Sequence, residues 1–304
     1  MTPMKKIILL LSTATFIIAA TGAYLLFFQP REPISFNGNR AFEDVEKQLS
    51  FGPRTPGSSS HQDFIDWLMS ELEKSGWQSS IQQGEMMGNP VKNILAHRGE
   101  ESPEIILVAH YDSRFFADND PDPKKQSQPV PGANDGASGV ALLVELSRIL
   151  PDDTVPIWLL FTDAEDNGRI SGWDWILGAR YFVSTMPFRP RAVIVVDMIG
   201  DRDLNIYREL NSDPVLTSQI WDVAKSLGYE AHFINETKYS IIDDHLPFLE
   251  AGIPSVDIID IEYPYWHTTE DTLDKISPNS LAVVGETLLQ WLLMQNTNDS
   301  QINN

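Results

Sequence analysis

Ionisable side chains recur where short apolar runs stop. EIILVAHYD (104–112) ends in His110-Tyr111-Asp112, and PIWLLFTD (156–163) runs into Ala164-Glu165-Asp166. RAVIVVDMIG (191–200) carries Asp197, and PSVDII (254–259) is followed by Tyr265-Trp266-His267. Asp135 stands in PGANDGASG (131–139), just ahead of a helical pattern. One aspartate at a strand end is an ordinary cap or ion-pair partner. Repeated at the ends of successive strands, such residues form a constellation. Imidazoles with carboxylates make a hard-to-borderline donor set that suits Zn²⁺. Asp135, Asp166 and His267 would supply three ligands and leave one position open. His110 and Asp197 would hold a second ion, with Asp135 bridging the two. Glu165, beside a ligand, is then free as a general base or acid. Asp112 is placed to orient the His110 imidazole.

The elements that must position these residues are legible as alternating patterns. Strand-length apolar runs lie at 93–98, 104–112, 156–163, 191–200 and 254–259. Helical spacing appears at 40–50, 60–76, 137–150, 173–184, 213–227 and 279–295. Strands rich in Val, Ile and Leu, alternating with helices, predict an α/β fold with a mostly parallel buried sheet. In such sheets ligands bind outside the carboxyl ends of the strands, where the ionisable residues fall.

Composition narrows the chemistry. The chain has 304 residues, 22 Lys plus Arg against 43 Asp plus Glu, and a net charge of −21. That balance excludes a nucleic-acid-binding face, which needs basic residues. The absence of cysteine excludes disulfide scaffolds, thiolate metal sites and cysteine nucleophiles. At the N-terminus, Lys5 and Lys6 precede an uncharged run from Ile7 to Phe28. That run is longer than a cleaved signal needs and long enough to span a bilayer. Residues 1–28 are therefore read as a membrane anchor, with a secreted form as the outcome if it is cleaved. The lysines place the following domain outside the cytoplasm, periplasmic or extracellular. Residues 29–40 read as a linker, 41–295 as a zinc-dependent catalytic domain and 296–304 as a flexible tail.

Two further patterns carry less. Asp118, Asp120 and Asp122 have the spacing of a calcium loop, but Pro123 stands where the turn glycine belongs, so a solvated loop is expected. His245 beside Asp244 is read as structural.

Several motifs occur together and in order: FGPRTPGS (51–58), HYDSRFF (110–116), PGANDGASGVALLVELSR (131–148), DAEDNG (163–168), DDHLPFLEAGIPSV (243–256) and WHTTEDTLD (266–274). From about Phe51 to Ile276 the chain resembles the zinc aminopeptidase and glutaminyl cyclase family of metallopeptidases. The Arg-x-Pro-Gly-Ser lead, Arg-Phe-Phe (114–116) after HYDS, DDHLPFL and Trp266 before His267 resemble the cyclase branch. The resemblance implies a single-domain three-layer α/β/α sandwich around a mixed, mostly parallel sheet. It implies that Asp135, Asp166 and His267 bind the catalytic zinc and that Glu165 is the acid/base. Asp197 and Asp244 would complete a carboxylate network beside Glu165, and Trp266 would wall the substrate pocket. One departure is Asp166, where the family often has glutamate; a second is the aromatic usually found soon after that pair, for which Trp173 and Trp175, at a shifted spacing, are the alternatives.

The resemblance leaves two reactions open. A glutaminyl-peptide cyclotransferase, working with one zinc, would convert an N-terminal glutamine of a peptide or protein to pyroglutamate. An aminopeptidase with one or two zincs would remove N-terminal residues. A non-catalytic binding ectodomain is the third reading, disfavoured because every ligand position holds a competent side chain.

Overall fold

Aliphatic strands buried on both faces make the centre of the molecule. In a computed structural model, which describes residues 34–302, they are β1 (Gln78–Met86), β2 (Asn89–His97), β3 (Ile105–His110), β4 (Ile157–Thr162), β5 (Ala192–Asp197) and β8 (Ser255–Ile259). The order across the sheet is β1-β2-β4-β3-β5-β8. β4, β3, β5 and β8 are mutually parallel, and β1 and β2 run antiparallel at one edge. A small parallel pair, β6 (Ile206–Glu209) and β7 (Phe233–Tyr239), forms a second sheet.

Side-chain alternation sorts the strands between two helical layers. Ile105, Leu107 and Ala109 of β3 join Leu159, Phe161, Ile194 and Val196 in the larger core. That core is covered by α1 (Gly38–Leu49), α2 (Ser59–Lys74), α3 (Ala137–Ile149), α5 (Pro214–Ser226) and α7 (Pro278–Ile302). Ile106, Val108, Leu160, Val193 and Val195 face the other way, against Ala179 and Phe182 of α4 (Leu177–Thr185) and Phe248 of α6 (His245–Glu250). This is the expected three-layer arrangement with a mixed, mostly parallel sheet. The residues from Ser35 onward form one compact unit.

Close approach of α3 to the sheet explains part of NDGASG. A Cβ on Gly139 would lie 2.3 Å from the carbonyl oxygen of Val196 in β5. Gly136, at φ +90°, lets the preceding loop pass over the His110 ring. The glycines therefore serve helix–strand packing, which brings Asp135 down beside β3 and β5.

Several boundaries differ from the sequence reading, for local reasons. The helix expected from 173 begins at Leu177, because Ile176 adopts a left-handed φ of 58°; Trp173 and Trp175 stay in the loop before it. The strand expected to reach 200 stops at Asp197, where Met198 turns at φ 46°. β1 was not anticipated: its sequence, QSSIQQGEM, is polar and half exposed, as an edge strand permits. It pairs with β2 through a two-residue turn at Met87-Gly88, both at positive φ. β7, FINETKY, is polar and mostly exposed, and β6 and α6 are only four and six residues long; these three were likewise unanticipated. The last helix continues through Ile302, into the stretch read as a tail. The anchor read at residues 7–28 lies outside the described residues. Among the described residues no helix is long and apolar enough to cross a membrane.

Candidate active site

The carboxyl ends of β3, β4 and β5 deliver His110, the Glu165-Asp166 loop and Asp197 to one place. The loop ahead of α3 adds Asp135, and the loop after β8 adds His267. His267 Nε2 lies 2.7 Å from Asp166 Oδ1 and 3.7 Å from Asp135 Oδ2. His110 Nε2 lies 3.0 Å from Asp135 Oδ1 and 3.2 Å from Asp197 Oδ1. Five of these residues thus fall into two groups with ligand-like spacing, Asp135–Asp166–His267 and His110–Asp135–Asp197, sharing Asp135. All the predicted metal-binding residues are brought together.

The donors fit a cation. Asp135 Oδ2 and Asp166 Oδ2 are buried with no hydrogen-bond partner. Buried carboxylate oxygens left bare are costly, and a metal ion offsets that cost. Two imidazoles and three carboxylates, with no thiolate, suit zinc.

The site's backbone is held in uncommon conformations. Of the six non-glycine residues at positive φ among the described residues, Ala164, Met198, His267 and Arg169 belong to the site. Such conformations persist where surroundings over-determine them. Asp112 is one such support: it accepts from Glu165 N (3.0 Å) and Asn167 Nδ2 (3.2 Å) and sits 3.5 Å from His110 Nδ1. Asp271 is another, accepting from Asn134 N (2.8 Å), Asp135 N (3.2 Å) and the Tyr263 hydroxyl (2.7 Å). Arg114, 1% exposed, binds both oxygens of Asp118 at 2.7 Å and donates to the carbonyls of Asp166 (2.7 Å) and Gly168 (3.1 Å). Its guanidinium also lies 5.2 Å from the Trp175 ring. Buried Arg54 donates to the carbonyls of Tyr111, Pro131 and Gly132 and so ties β3 to the Asp135 loop.

The groups open on a cavity of about 340 Å³ lined by Asp135, Glu165, Asp166, Asp197 and Asp243, with Trp175 and Trp266 as apolar walls. Trp266 lies 3.9 Å from the His267 ring and Trp175 stacks on it at 6.0 Å and 16°. Of the two tryptophans left open by the sequence, Trp175 lines the cavity, whereas Trp173 packs edge-on against Phe115. Asp244 lies behind the cavity wall, where it accepts a hydrogen bond from the Thr162 hydroxyl; its neighbour Asp243 faces the cavity. Asp243, Asp271 and Arg114 stand within the motifs that carry the resemblance, but the sequence alone assigned them no role in the site.

Burial and like charge raise the acids. Burial, with repulsion from Asp243, Asp166 and Asp244, holds Glu165 well above the usual carboxylate range against the pull of His110. Burial lifts Asp197 to about 7, with His110 opposing and Asp135 and Asp243 adding to the rise. Burial likewise holds Asp244 high, with Asp243 as the main repelling charge. The arrangement can hold a metal ion and keep a carboxyl group with a raised proton affinity beside it.

The chain is similar to proteins named as glutaminyl cyclases and as exopeptidases. The chain is 25% identical over 286 residues to the glutaminyl-peptide cyclotransferase of Boiga irregularis, covering 79% of this chain and 76% of that one. It is similar to the solved glutaminyl cyclase of Porphyromonas gingivalis, with a TM-score of 0.81 and 32% identity over 86% of this chain and 99% of that one. It is equally similar to a Zn-dependent exopeptidase from Parabacteroides distasonis, with a TM-score of 0.80 and 32% identity over 85% and 98% of the two chains. The sequence pattern of peptidase family M28 matches residues 93–292, more than half of the chain, and together with the geometry of the site this places the protein in that family.

Proposed function

We propose that the chain is a zinc-dependent glutaminyl-peptide cyclotransferase, converting an N-terminal glutamine to pyroglutamate with release of ammonia. One observation carries the reading: Glu165, with a raised proton affinity, stands beside Asp166 of the ligand group and opens on a cavity walled by Trp175 and Trp266. Likeness to the Porphyromonas gingivalis cyclase supports the choice of reaction.

Asp135, Asp166 and His267 would hold the zinc ion. When bound, zinc supplies the Lewis acidity that polarises the γ-carbonyl of the glutamine side chain. Trp175 and Trp266 confine that side chain and exclude water. The substrate's own α-amine attacks the γ-carbonyl carbon, so proximity supplies much of the acceleration. Glu165 takes a proton from the amine as the new C–N bond forms. It returns that proton to the amide nitrogen as the old C–N bond breaks and ammonia leaves. Burial, with repulsion from Asp243 and Asp244, keeps the proton affinity of Glu165 high enough for both halves of that transfer.

A second reading, an aminopeptidase, is favoured by the second ligand group. His110, within 3.2 Å of both Asp135 and Asp197, completes a pair of sites sharing one carboxylate. Glu165 would then take its proton from an attacking water.

The test is incubation of the zinc-loaded protein with Gln-initiated and Leu-initiated peptides, read by mass spectrometry. Loss of one ammonia from the Gln peptide, with no residue removed, is the expected result. Release of a free N-terminal amino acid would replace this reading with the aminopeptidase.

For localisation, the uncharged run from Ile7 to Phe28 behind Lys5 and Lys6 supports an anchor that carries the domain outside the cytoplasm. Membrane fractionation with carbonate washing and protease shaving of intact cells tests it. Recovery of the uncleaved chain in the soluble cytoplasmic fraction would refute it.

A further inference from the structure

Five carboxylates line the cavity, and Arg169 is the one cation among its lining residues. We propose that Arg169 reads substrate sequence by pairing with an acidic side chain at the second or third residue of the peptide. The inference rests on the proposed action at peptide N-termini.

Arg169 is three residues beyond Asp166, on a turn that the protein holds firmly. Arg114 donates to the carbonyls of Asp166 and Gly168, and Asn167 accepts from Phe115 N (3.1 Å) and donates to Asp112. Arg169 itself sits at φ 62°, a backbone state that favours glycine. The side chain is exposed, and no ion pair among the described residues involves it. The other buried or cavity-side arginines are committed: Arg114 to Asp118, Arg54 to backbone carbonyls. A guanidinium held on a fixed turn at the cavity, in a chain of net charge −21, has no ion-pair partner among the described residues.

The charge order of the cavity matches a peptide of one polarity. The inner carboxylates attract the peptide's free amino end. A chain leaving the cavity meets Arg169 with the residues that follow. An aspartate or glutamate there gains a charge-assisted bond, whereas a lysine or arginine is repelled. Binding of Arg169 to peptide carbonyls alone would give no such discrimination.

The experiment compares kcat/KM for Gln-Asp, Gln-Ala and Gln-Lys peptides, and the same series varied at the third residue, on the zinc-loaded full-length wild type, Arg169→Ala and Arg169→Glu proteins. Each ratio is taken within one protein, so overall losses cancel. At low salt, wild type is expected to favour the acidic over the basic peptide by about fivefold, in KM more than kcat, with the preference shrinking as salt rises. Arg169→Ala should remove the preference and Arg169→Glu should invert it. An acidic-to-basic ratio that is the same in all three proteins at both positions overturns the proposal. Mass analysis of the same products separates this failure from the other: amino acid release in place of ammonia loss overturns the cyclase reading, and the ratios still decide the role of Arg169.

Discussion

At the scale of single residues, the division of labour between Glu165 and Asp166 is the sharpest claim. Two adjacent carboxylates point to different tasks because one belongs to a ligand group with His267 and the other does not. Glu165→Gln preserves shape and removes the proton acceptor. It is expected to lower kcat by about 10²–10⁴-fold while zinc content and thermal stability stay near wild type; residual activity within tenfold would eliminate the acid/base role. His267→Ala is expected to lower zinc content by elemental analysis, since it removes a nitrogen donor 2.7 Å from Asp166; full occupancy would refute the ligand assignment. These residues were legible because catalysis requires particular side chains at strand ends. Asp243 was less so. In Asp243-Asp244 both residues are buried and chemically identical, and only the turn into α6 decides which faces the cavity.

At the scale of elements, the parallel strands could be read in advance because they are apolar throughout, and β1, β6 and β7 could not because edge positions tolerate polar sequences. The loops between elements were the least legible and matter most to the site. The helix expected over 173–184 was shortened by one left-handed residue, Ile176, and the freed loop supplies the Trp175 wall. Arg114 is the element-level counterpart. It ties the turn after β3 to the Asp166 loop and to Trp175, and its partner Asp118 lies 3.7 Å from His267 Nδ1. A lysine keeps the charge and loses the planar fork. Arg114→Lys is therefore expected to weaken zinc binding by about 10–100-fold in chelator competition, with a native circular dichroism spectrum. Arg114→Met should weaken it further, because the Asp166 carbonyl and Asp118 lose their donor. Zinc affinity within twofold of wild type in both variants would show that the loop holds itself.

At the scale of the whole molecule, an acidic chain has buried an unusual number of acids, and that couples metal, proton and stability. Burial is the leading cause that lifts Asp197, Asp260 and Asp271 from 3.8 to about 7. Folded protein without metal therefore holds protons that the unfolded chain has already released. With more protons bound to the native state, stability falls as pH rises between about 4 and 7. A cation in the ligand groups takes the place of the protons on Asp166, which burial lifts to about 6, and on Asp197, so its binding must expel them and must strengthen with pH. Asp260 lies in neither ligand group: it accepts from Asn205 N (2.8 Å) and Glu262 N (3.1 Å) and keeps its proton when metal binds. Three consequences follow in one set of thermal melts and titrations. The metal-free protein should melt at a higher temperature at pH 5 than at pH 7.5. Zinc should raise the melting temperature more at pH 7.5 than at pH 5, as mass action requires of a ligand that binds the native state more tightly there. Calorimetric titration at pH 6, repeated in buffers of different ionisation enthalpy, should show net proton release per zinc bound. A metal-free melting temperature that does not change with pH would mean that the buried acids are ionised and compensated elsewhere, and zinc uptake with no proton release would mean that Asp166 and Asp197, raised to about 6 and about 7 by burial, are already ionised before the metal arrives.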